Sequence, residues 1–191
     1  MSNEEKISEI IQAYHDLENQ RVLGKKRIHD ISKLANEAVF NFEKNNVILG
    51  NKILIQVRDA INLLTKERKN YPSLLAEENY RVCLMECMKA ELYNSYLVKK
   101  EISFPKTKIC LEPDEYMIVL CEFIGELIYQ IKPLIEQRKY EKVRQVKDTV
   151  MNLYALLVNI GPHGVLKTKL EEAKKHIRKI EDVLLDVSEK D

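Results

Sequence analysis

The chain has 191 residues, and its 31 basic and 30 acidic side chains leave a net charge of +1. This length suits one domain over residues 1–191 with a sizeable core. The balanced charge argues against attraction of duplex nucleic acid by bulk positive charge, so a nucleic-acid site would need local clusters. The sequence has no apolar run of the roughly 18 residues that span a membrane, and its four cysteines lack disulfide or zinc spacing. We therefore expect a cytoplasmic protein with free thiols and no membrane partner.

The first half of the chain has apolar residues at helical spacing. Ser2 and Glu5 form a capping-box pattern, and the helix that they begin is predicted to continue to about Phe42. A second helix follows a turn, and a third is predicted from the cap residue Ser73 to about Lys100. The residues that predict the turn are Asn45, Asn46 and Gly50.

The second half begins with a loop over 101–113, after which Pro113 suits the first turn of a fourth helix. This helix is predicted to continue to about Pro133 and to kink or stop there. A fifth helix is predicted over 138–159, before a Gly-Pro-His-Gly stop signal at 161–164. The last helix has a seven-residue apolar repeat, and the whole pattern predicts an all-α bundle of about six long helices. The repeat consists of Leu166, Leu170, Ala173, Ile177, Ile180, Leu184 and Val187.

Acidic residues interrupt the most apolar segment, Tyr116–Ile128. Glu122 and Glu126 are one helical turn apart, and Glu115 precedes Glu122 by seven residues, so all three are expected on one side of the helix. Buried carboxylates repel one another and are tolerated when a divalent cation or a basic partner lies between them. The alternative is that this face lies at the rim of the bundle and reaches solvent.

A similar interruption occurs in the third helix, where Glu86 lies among apolar residues and Lys89 follows one turn later. A simple i, i+3 ion pair would explain both residues. The functional interpretation instead adds Glu86 to Glu122 and Glu126 as a third ligand from a facing helix. The spacing alone does not decide between the two.

Local positive charge occurs in several clusters, of which the one that includes Arg21 and Lys25 is the first. Most clusters lie beside acidic residues, so a solvated helix face is the default interpretation. Arg81 is better placed because it follows Tyr80 directly. An aromatic ring beside a guanidinium could stack on a base and bind a phosphate of a single strand.

Three segments resemble the translin–Trax family. These are Glu115–Leu127, the stretch Asn159–Leu170 around the Gly-Pro break, and the closing helix Ile180–Val187. The third helix, with Glu86 and its following aromatic residues, is also similar. The acidic residue at Glu122 and the Gly-Pro break resemble the Trax side of the family. The resemblance covers nearly the whole chain and is more specific in its C-terminal half.

The resemblance implies a helical protomer in a closed, barrel-like oligomer, often of eight subunits, either homomeric or formed with a translin-like subunit. It also implies binding of single-stranded RNA or DNA on the inner surface. In Trax-like subunits it further implies an endoribonuclease that depends on Mg²⁺, or on Mn²⁺. Carried over by position, the catalytic and metal-binding cluster is Glu86, Glu122 and Glu126.

One departure from the family lies at Lys89, where Trax has a second glutamate one turn after the first. Loss of that carboxylate could weaken metal binding or abolish cleavage; alternatively, Lys89 could hold the scissile phosphate. The first hypothesis is therefore a Trax-like endoribonuclease, with Arg81 positioning the RNA backbone. The second is a non-catalytic single-strand-binding oligomer in which Lys89 neutralises the acids. A helical scaffold without nucleic-acid binding is the third.

Overall fold

The computed structural model describes residues 2–70, 78–104 and 109–188, and it is helical in nearly all of them. Six long helices and one short helix occur in these ranges, with no strand, which confirms the predicted all-α fold. Within the same ranges, no helix combines the length and apolarity of a membrane span. The helices are α1 (Asn3–Glu43), α2 (Val47–Asn70), α3 (Glu78–Lys99), α4 (Pro113–Tyr129), α5 (Ile131–Glu136), α6 (Tyr140–Val158) and α7 (Gly164–Ser188).

Helix α1 begins at the predicted capping box. The Ser2 side chain accepts a hydrogen bond from the Glu5 backbone, and the Glu5 carboxylate accepts one from Ser2 N at 2.6 Å. With 41 residues, α1 is about 60 Å long at 1.5 Å per residue. Its buried residues begin only at Ile28, so roughly its first 25 residues extend beyond the core.

The turn between α1 and α2 is shorter than predicted. Asn45 has a positive φ of 59°, as a helix C-terminus commonly requires, and α2 begins two residues later. Gly50 was expected in this turn but lies inside α2, which corrects the prediction. Its role is steric, because a Cβ at this position would overlap the buried ring of Phe42.

The helix that begins at Pro113 ends at Tyr129, before the predicted Pro133. Pro133 lies instead in the first turn of the short helix α5, where its missing N–H is tolerated. The predicted signals at Ser73 and Pro105 fall outside the described residues. Helix α3 is described from Glu78 onward.

The break between α6 and α7 is built by two glycines. Gly161 and Gly164 have positive φ values of 67° and 55°, a region that other residues rarely adopt. The apolar repeat of α7 faces the core as predicted, although the side chains of Leu184 and Val187 lie outside the described residues. The buried members of the repeat are Leu170, Ala173, Ile177 and Ile180.

The helices form two groups that meet at α3 and α4. Helix α1 packs on α2 and α3, whereas α4 packs on α3, α6 and α7. Three aromatic rings lie at the junction: Tyr93 stacks on Phe42 at 5.8 Å and meets Phe123 edge-on at 5.9 Å between centroids. This packing brings the C-terminal end of α1 beside the acidic faces of α3 and α4.

Candidate functional site

The predicted acidic residues converge on one lysine. Glu86 and Lys89 lie one turn apart on α3, and Glu122 and Glu126 lie one turn apart on the facing side of α4. Most of the residues that flank these four in the sequence are buried or half-buried. The sequence prediction that these three carboxylates point to one place agrees with the geometry.

The Lys89 ammonium lies at the centre of the group. Its Nζ atom is 2.9 Å from Glu86 Oε2, 3.6 Å from Glu122 Oε2 and 3.7 Å from Glu126 Oε1. Glu86 Oε2 has no well-aligned hydrogen bond among the described residues, so the shortest contact is best described as an ion pair. Lys89 is only 7% exposed, which excludes it as a surface contact for a phosphate in this conformation.

A second lysine reaches the same group from α7. Lys169 Nζ lies 3.2 Å from Glu122 Oε1 and 3.5 Å from Glu172 Oε2. Burial works against its charge, but the Glu122 carboxylate outweighs that effect and raises the pKa of Lys169. Glu122 is thereby held between two ammonium groups, one on each carboxylate oxygen.

Glu43, the last residue of α1, completes the cluster from a fourth helix. Burial, together with a hydrogen bond to Glu126 and the charge of that residue, raises the pKa of Glu43 to about 7. Its place at a helix C-terminus, where the backbone carbonyls carry partial negative charge, acts in the same direction. The Glu43 carboxyl, which lies beside Glu126, is therefore partly protonated near neutral pH.

The Lys89 ammonium is charged in spite of its burial. Desolvation by itself would lower the pKa of Lys89, but the charges of Glu86, Glu122 and Glu126 reverse this, and the net effect raises it. A buried ammonium surrounded by carboxylates is strongly favoured over a neutral amine. The protein itself thus supplies a positive charge at the centre of the cluster.

A cavity of about 250 Å³ lies next to the cluster, between α4 and α7. Glu122, Glu126 and Lys169 line it, and Tyr129 and His176 lie 6.5 Å apart between ring centroids at one side. Cys121 also lines this cavity, and burial raises the pKa of its thiol to about 11, so the thiol is protonated and unreactive at neutral pH.

These residues do not fit the Mg²⁺ or Mn²⁺ ion that the resemblance implies. Such an ion would have to bind oxygen atoms of Glu86, Glu122 and Glu126 at about 2.1 Å in octahedral geometry. Lys89 Nζ already lies in the space between them. Within the described residues, no group of three or more acidic, histidine or cysteine side chains is arranged to hold a metal ion.

Glu115 was predicted to lie on the same side as Glu122 and Glu126, but it belongs to a different contact. Its carboxylate accepts a hydrogen bond from Arg81 Nε at 2.6 Å and a second from the other guanidinium arm. It also accepts the backbone N–H of Glu112 at 2.7 Å, which completes the N-terminal cap of α4. Its role is therefore to fix the start of α4 against α3.

The predicted pair of Tyr80 and Arg81 is not arranged to bind a nucleotide. Tyr80 is 2% exposed, so its ring is not available to stack on a base in this conformation, and its role in nucleic-acid binding stays a prediction. The Arg81 guanidinium is occupied by Glu115 and also approaches the Cys110 carbonyl at 3.4 Å. The physical reason is that Tyr80 lies in the core, while Arg81 is turned toward the loop and helix that follow α3.

The basic cluster of α1, which includes Arg21 and Lys25, lies apart from the acidic site. Arg21 forms an ion pair with Glu18 one turn earlier, and Lys25 is exposed on the half of α1 that extends beyond the core. Neither residue approaches the Lys89 cluster in the described structure. Nucleic-acid binding by these two residues stays a prediction.

Glu91 of α3 is not part of the acidic cluster, although it follows Glu86 closely in the sequence. Five residues rotate it about 140° from Glu86 on a helix, and it is turned away from the cluster. It is 1% exposed and binds Arg58 of α2 through two hydrogen bonds of 2.5 and 2.6 Å. Removing Arg58, whose side chain is 45% exposed, would leave the buried Glu91 charge without compensation.

Comparison with known proteins agrees with this architecture. The Translin family model matches residues 4–189. No curated protein matches the chain.

Solved structures with the same fold include apo-NeC3PO, with a TM-score of 0.81, 18% identity and coverage of 97% of each chain. The duplex RNA complex of AfC3PO has a TM-score of 0.79 and 14% identity over 96% of this chain and 97% of that chain. A further structure of AfC3PO has a TM-score of 0.79 and 15% identity over 97% and 100% of the two chains. Since the family match spans almost every residue, the chain belongs to the Translin family.

Proposed function

We propose that this chain is an RNA-binding subunit of a translin-type oligomer and that its own acidic cluster does not cleave RNA. The main support is its membership of the Translin family, together with the fold it shares with AfC3PO, a protein whose structure includes a complex with duplex RNA. The proposal extends to single-stranded RNA or DNA, which the sequence resemblance implied. We place this activity in the cytoplasm, where the buried thiols of Cys83, Cys87 and Cys121 stay reduced.

Helix α7 offers the exposed charge that RNA binding requires. Lys167, Lys174 and Arg178 follow one another at steps of seven and four, which puts them on one face of the helix. This face is opposite to Lys169 and Ala173, which point toward α4. The three side chains are exposed and have no ion-pair partner among the described residues. Phosphate contacts of this kind do not depend on sequence and weaken as salt increases.

Cleavage by a Trax-type subunit is the second candidate. It is supported by the convergence of Glu86, Glu122 and Glu126, and opposed by the ammonium that lies among them. Since the Lys89 ammonium already lies between the three carboxylates that would bind Mg²⁺, we derive no catalytic step through a metal. Binding without cleavage is the function that this geometry supports best.

An incubation experiment distinguishes RNA binding without cleavage from Trax-type cleavage. The purified protein is mixed with labelled single-stranded or duplex RNA in the presence of Mg²⁺ or of EDTA. We expect retention of RNA at low salt in both conditions and no Mg²⁺-dependent products. Cleavage that requires Mg²⁺ and disappears in Glu122→Gln/Glu126→Gln would contradict the proposal and support the nuclease. If the protein retains no RNA at low salt, both candidates are excluded and the helical scaffold without nucleic-acid binding is the remaining hypothesis.

The α7 surface is tested with Lys174→Ala/Arg178→Ala. We expect RNA affinity to fall at least tenfold at low salt, with a smaller salt dependence, because two phosphate contacts are lost. Lys142→Ala/Arg144→Ala on α6 removes the same charge at another exposed place and is the matched control. Arg21→Ala/Lys25→Ala tests the α1 cluster in the same assay. Equal loss in the α7 and control variants would show that only net charge matters.

A further inference from the structure

The Lys89 ammonium lies at the centre of the acidic cluster, in the position that a divalent ion occupies in metal-binding carboxylate clusters. Glu86 comes from α3 and Glu122 and Glu126 come from α4, so no local sequence constraint requires these three carboxylates to meet. They are brought to one point by the packing of α3 on α4. Carboxylates at short range repel one another, so a positive charge shared by all three is needed to keep them together.

The Lys89 side chain meets this condition geometrically. An ammonium has three N–H donors, and Lys89 Nζ has one carboxylate oxygen from each of three glutamates between 2.9 and 3.7 Å. Its contacts with Glu122 and Glu126 cross from one helix to the other, as a shared metal ion would. The side chain is nearly inaccessible to solvent, so a competing ion could reach the centre only by displacing it.

Lys169 does not have this role. Among the described residues, its salt bridges are with one oxygen of Glu122 and with Glu172 on its own helix. Its side chain is about a third exposed, compared with 9% for Lys89. Removal of Lys169 therefore leaves the central ammonium in place, which makes Lys169 a suitable control.

We propose that Lys89 replaces a divalent cation in this fold, and that exchanging it for a neutral side chain opens a site for Mn²⁺ or Mg²⁺ on Glu86, Glu122 and Glu126. The site would take a hard cation, because its donors are carboxylate oxygens, and waters would complete the coordination. This inference does not depend on RNA binding and is tested without RNA.

The test uses Mn²⁺ alone as the probe, with binding measured by electron paramagnetic resonance and isothermal titration calorimetry. The proteins are the wild type, Lys89→Met, Lys89→Ala and the control Lys169→Met. We expect at least tenfold tighter Mn²⁺ binding, at one ion per chain, in both Lys89 variants than in the other two proteins. Their melting temperatures should rise with Mn²⁺, whereas those of the wild type and Lys169→Met should not change.

The contribution of the glutamates is tested with Lys89→Met/Glu122→Gln/Glu126→Gln, which should lose the gained site. The proposal is overturned if the wild type binds Mn²⁺ as tightly as Lys89→Met, or if both folded Lys89 variants gain no binding. A Lys89 variant that folds only in Mn²⁺, judged by circular dichroism, supports the proposal. Failure of both variants to fold even in Mn²⁺ counts against it, because either cation should hold the cluster together.

Discussion

Glu43 is the residue at which the acidic cluster responds to pH. It is partly buried at the end of α1, next to the Glu126 carboxylate, with Lys44 and Lys89 as the positive charges that face it. With its pKa raised to about 7 from an ordinary 4.5, Glu43 binds its proton more tightly in the folded protein than in the unfolded chain. The unfolding free energy must therefore fall as pH rises from about 4.5 to 7.

Glu43→Gln is expected to remove this dependence. The amide cannot ionise and can still donate a hydrogen bond to Glu126, so the variant should match the wild type at pH 5 and exceed it at pH 8. Because the side chain is partly exposed, the gain should be about 1 kcal/mol rather than the larger value that a fully buried group would give. Denaturant unfolding at several pH values measures it. Glu37→Gln, an exposed site on the same helix, is the control, and parallel pH curves for all three proteins would contradict the assignment.

At the scale of residues, the sequence predicted the acids of the cluster better than its cations. Glu122 and Glu126 were found because charged residues in an apolar helix are conspicuous. Glu43 and Lys169 have no such signal: each lies among other charged residues, and only the packing of α1 and α7 on α4 brings them to the site. The Tyr80–Arg81 pair was selected because its two residues are adjacent in the sequence. Adjacency does not show which of the two side chains the fold buries, and here it buries Tyr80.

At the scale of elements, the packing of α1 on α2 depends on a glycine. Gly50 lies opposite the ring of Phe42, and an added Cβ would lie 3.1 Å from its Cζ atom and closer still to two others. Phe42 is 1% exposed and stacks on Tyr93, so the ring has no free space into which it can move. A side chain at this position must push the helices apart.

Gly50→Ala should destabilise the protein by about 1–2 kcal/mol. Overpacking of a dense core costs about 1–3 kcal/mol, and the better helix propensity of alanine offsets about 1 kcal/mol of that. Gly24→Ala is the matched control because nothing lies within 4 Å of its added Cβ, and it should stabilise α1 by about 0.5–1 kcal/mol. Thermal or urea unfolding measures both. Equal changes of the same sign in the two variants would show that the Phe42 contact is unimportant.

The same glycine explains the main error in predicting the elements. A glycine that closely follows Asn45 and Asn46 normally indicates a turn, and this is why Gly50 was assigned to one. Its close approach to Phe42 results from the packing of α1 on α2, which the sequence alone does not predict. Signals that act within one helix predicted more. The capping box at Ser2, Pro113 at the start of α4 and the Gly-Pro break before α7 all lie where expected.

At the scale of the whole molecule, the first part of α1 is built to contact something other than its own core. Ile7, Ile11 and Tyr14 lie at steps of four and three, so they share one face, and each is at least half exposed. Single exposed apolar residues are ordinary, but a row of them on an extended helix marks an interaction surface. In the translin-type oligomer that we propose, another subunit would cover this surface.

We therefore expect Ile11→Asp/Tyr14→Asp to reduce the size of the oligomer. Two buried carboxylates in an apolar interface lack partners and should destabilise association far more than they change a protomer whose core begins at Ile28. Size-exclusion chromatography with light scattering measures the mass, and circular dichroism confirms that the helices remain. Ile48→Asp, at a residue that is 87% exposed, places the same charge on another apolar surface position and should keep the parent mass. If the double variant keeps that mass as well, the extended half of α1 is not the assembly surface, and the oligomer must form through the globular part of the chain.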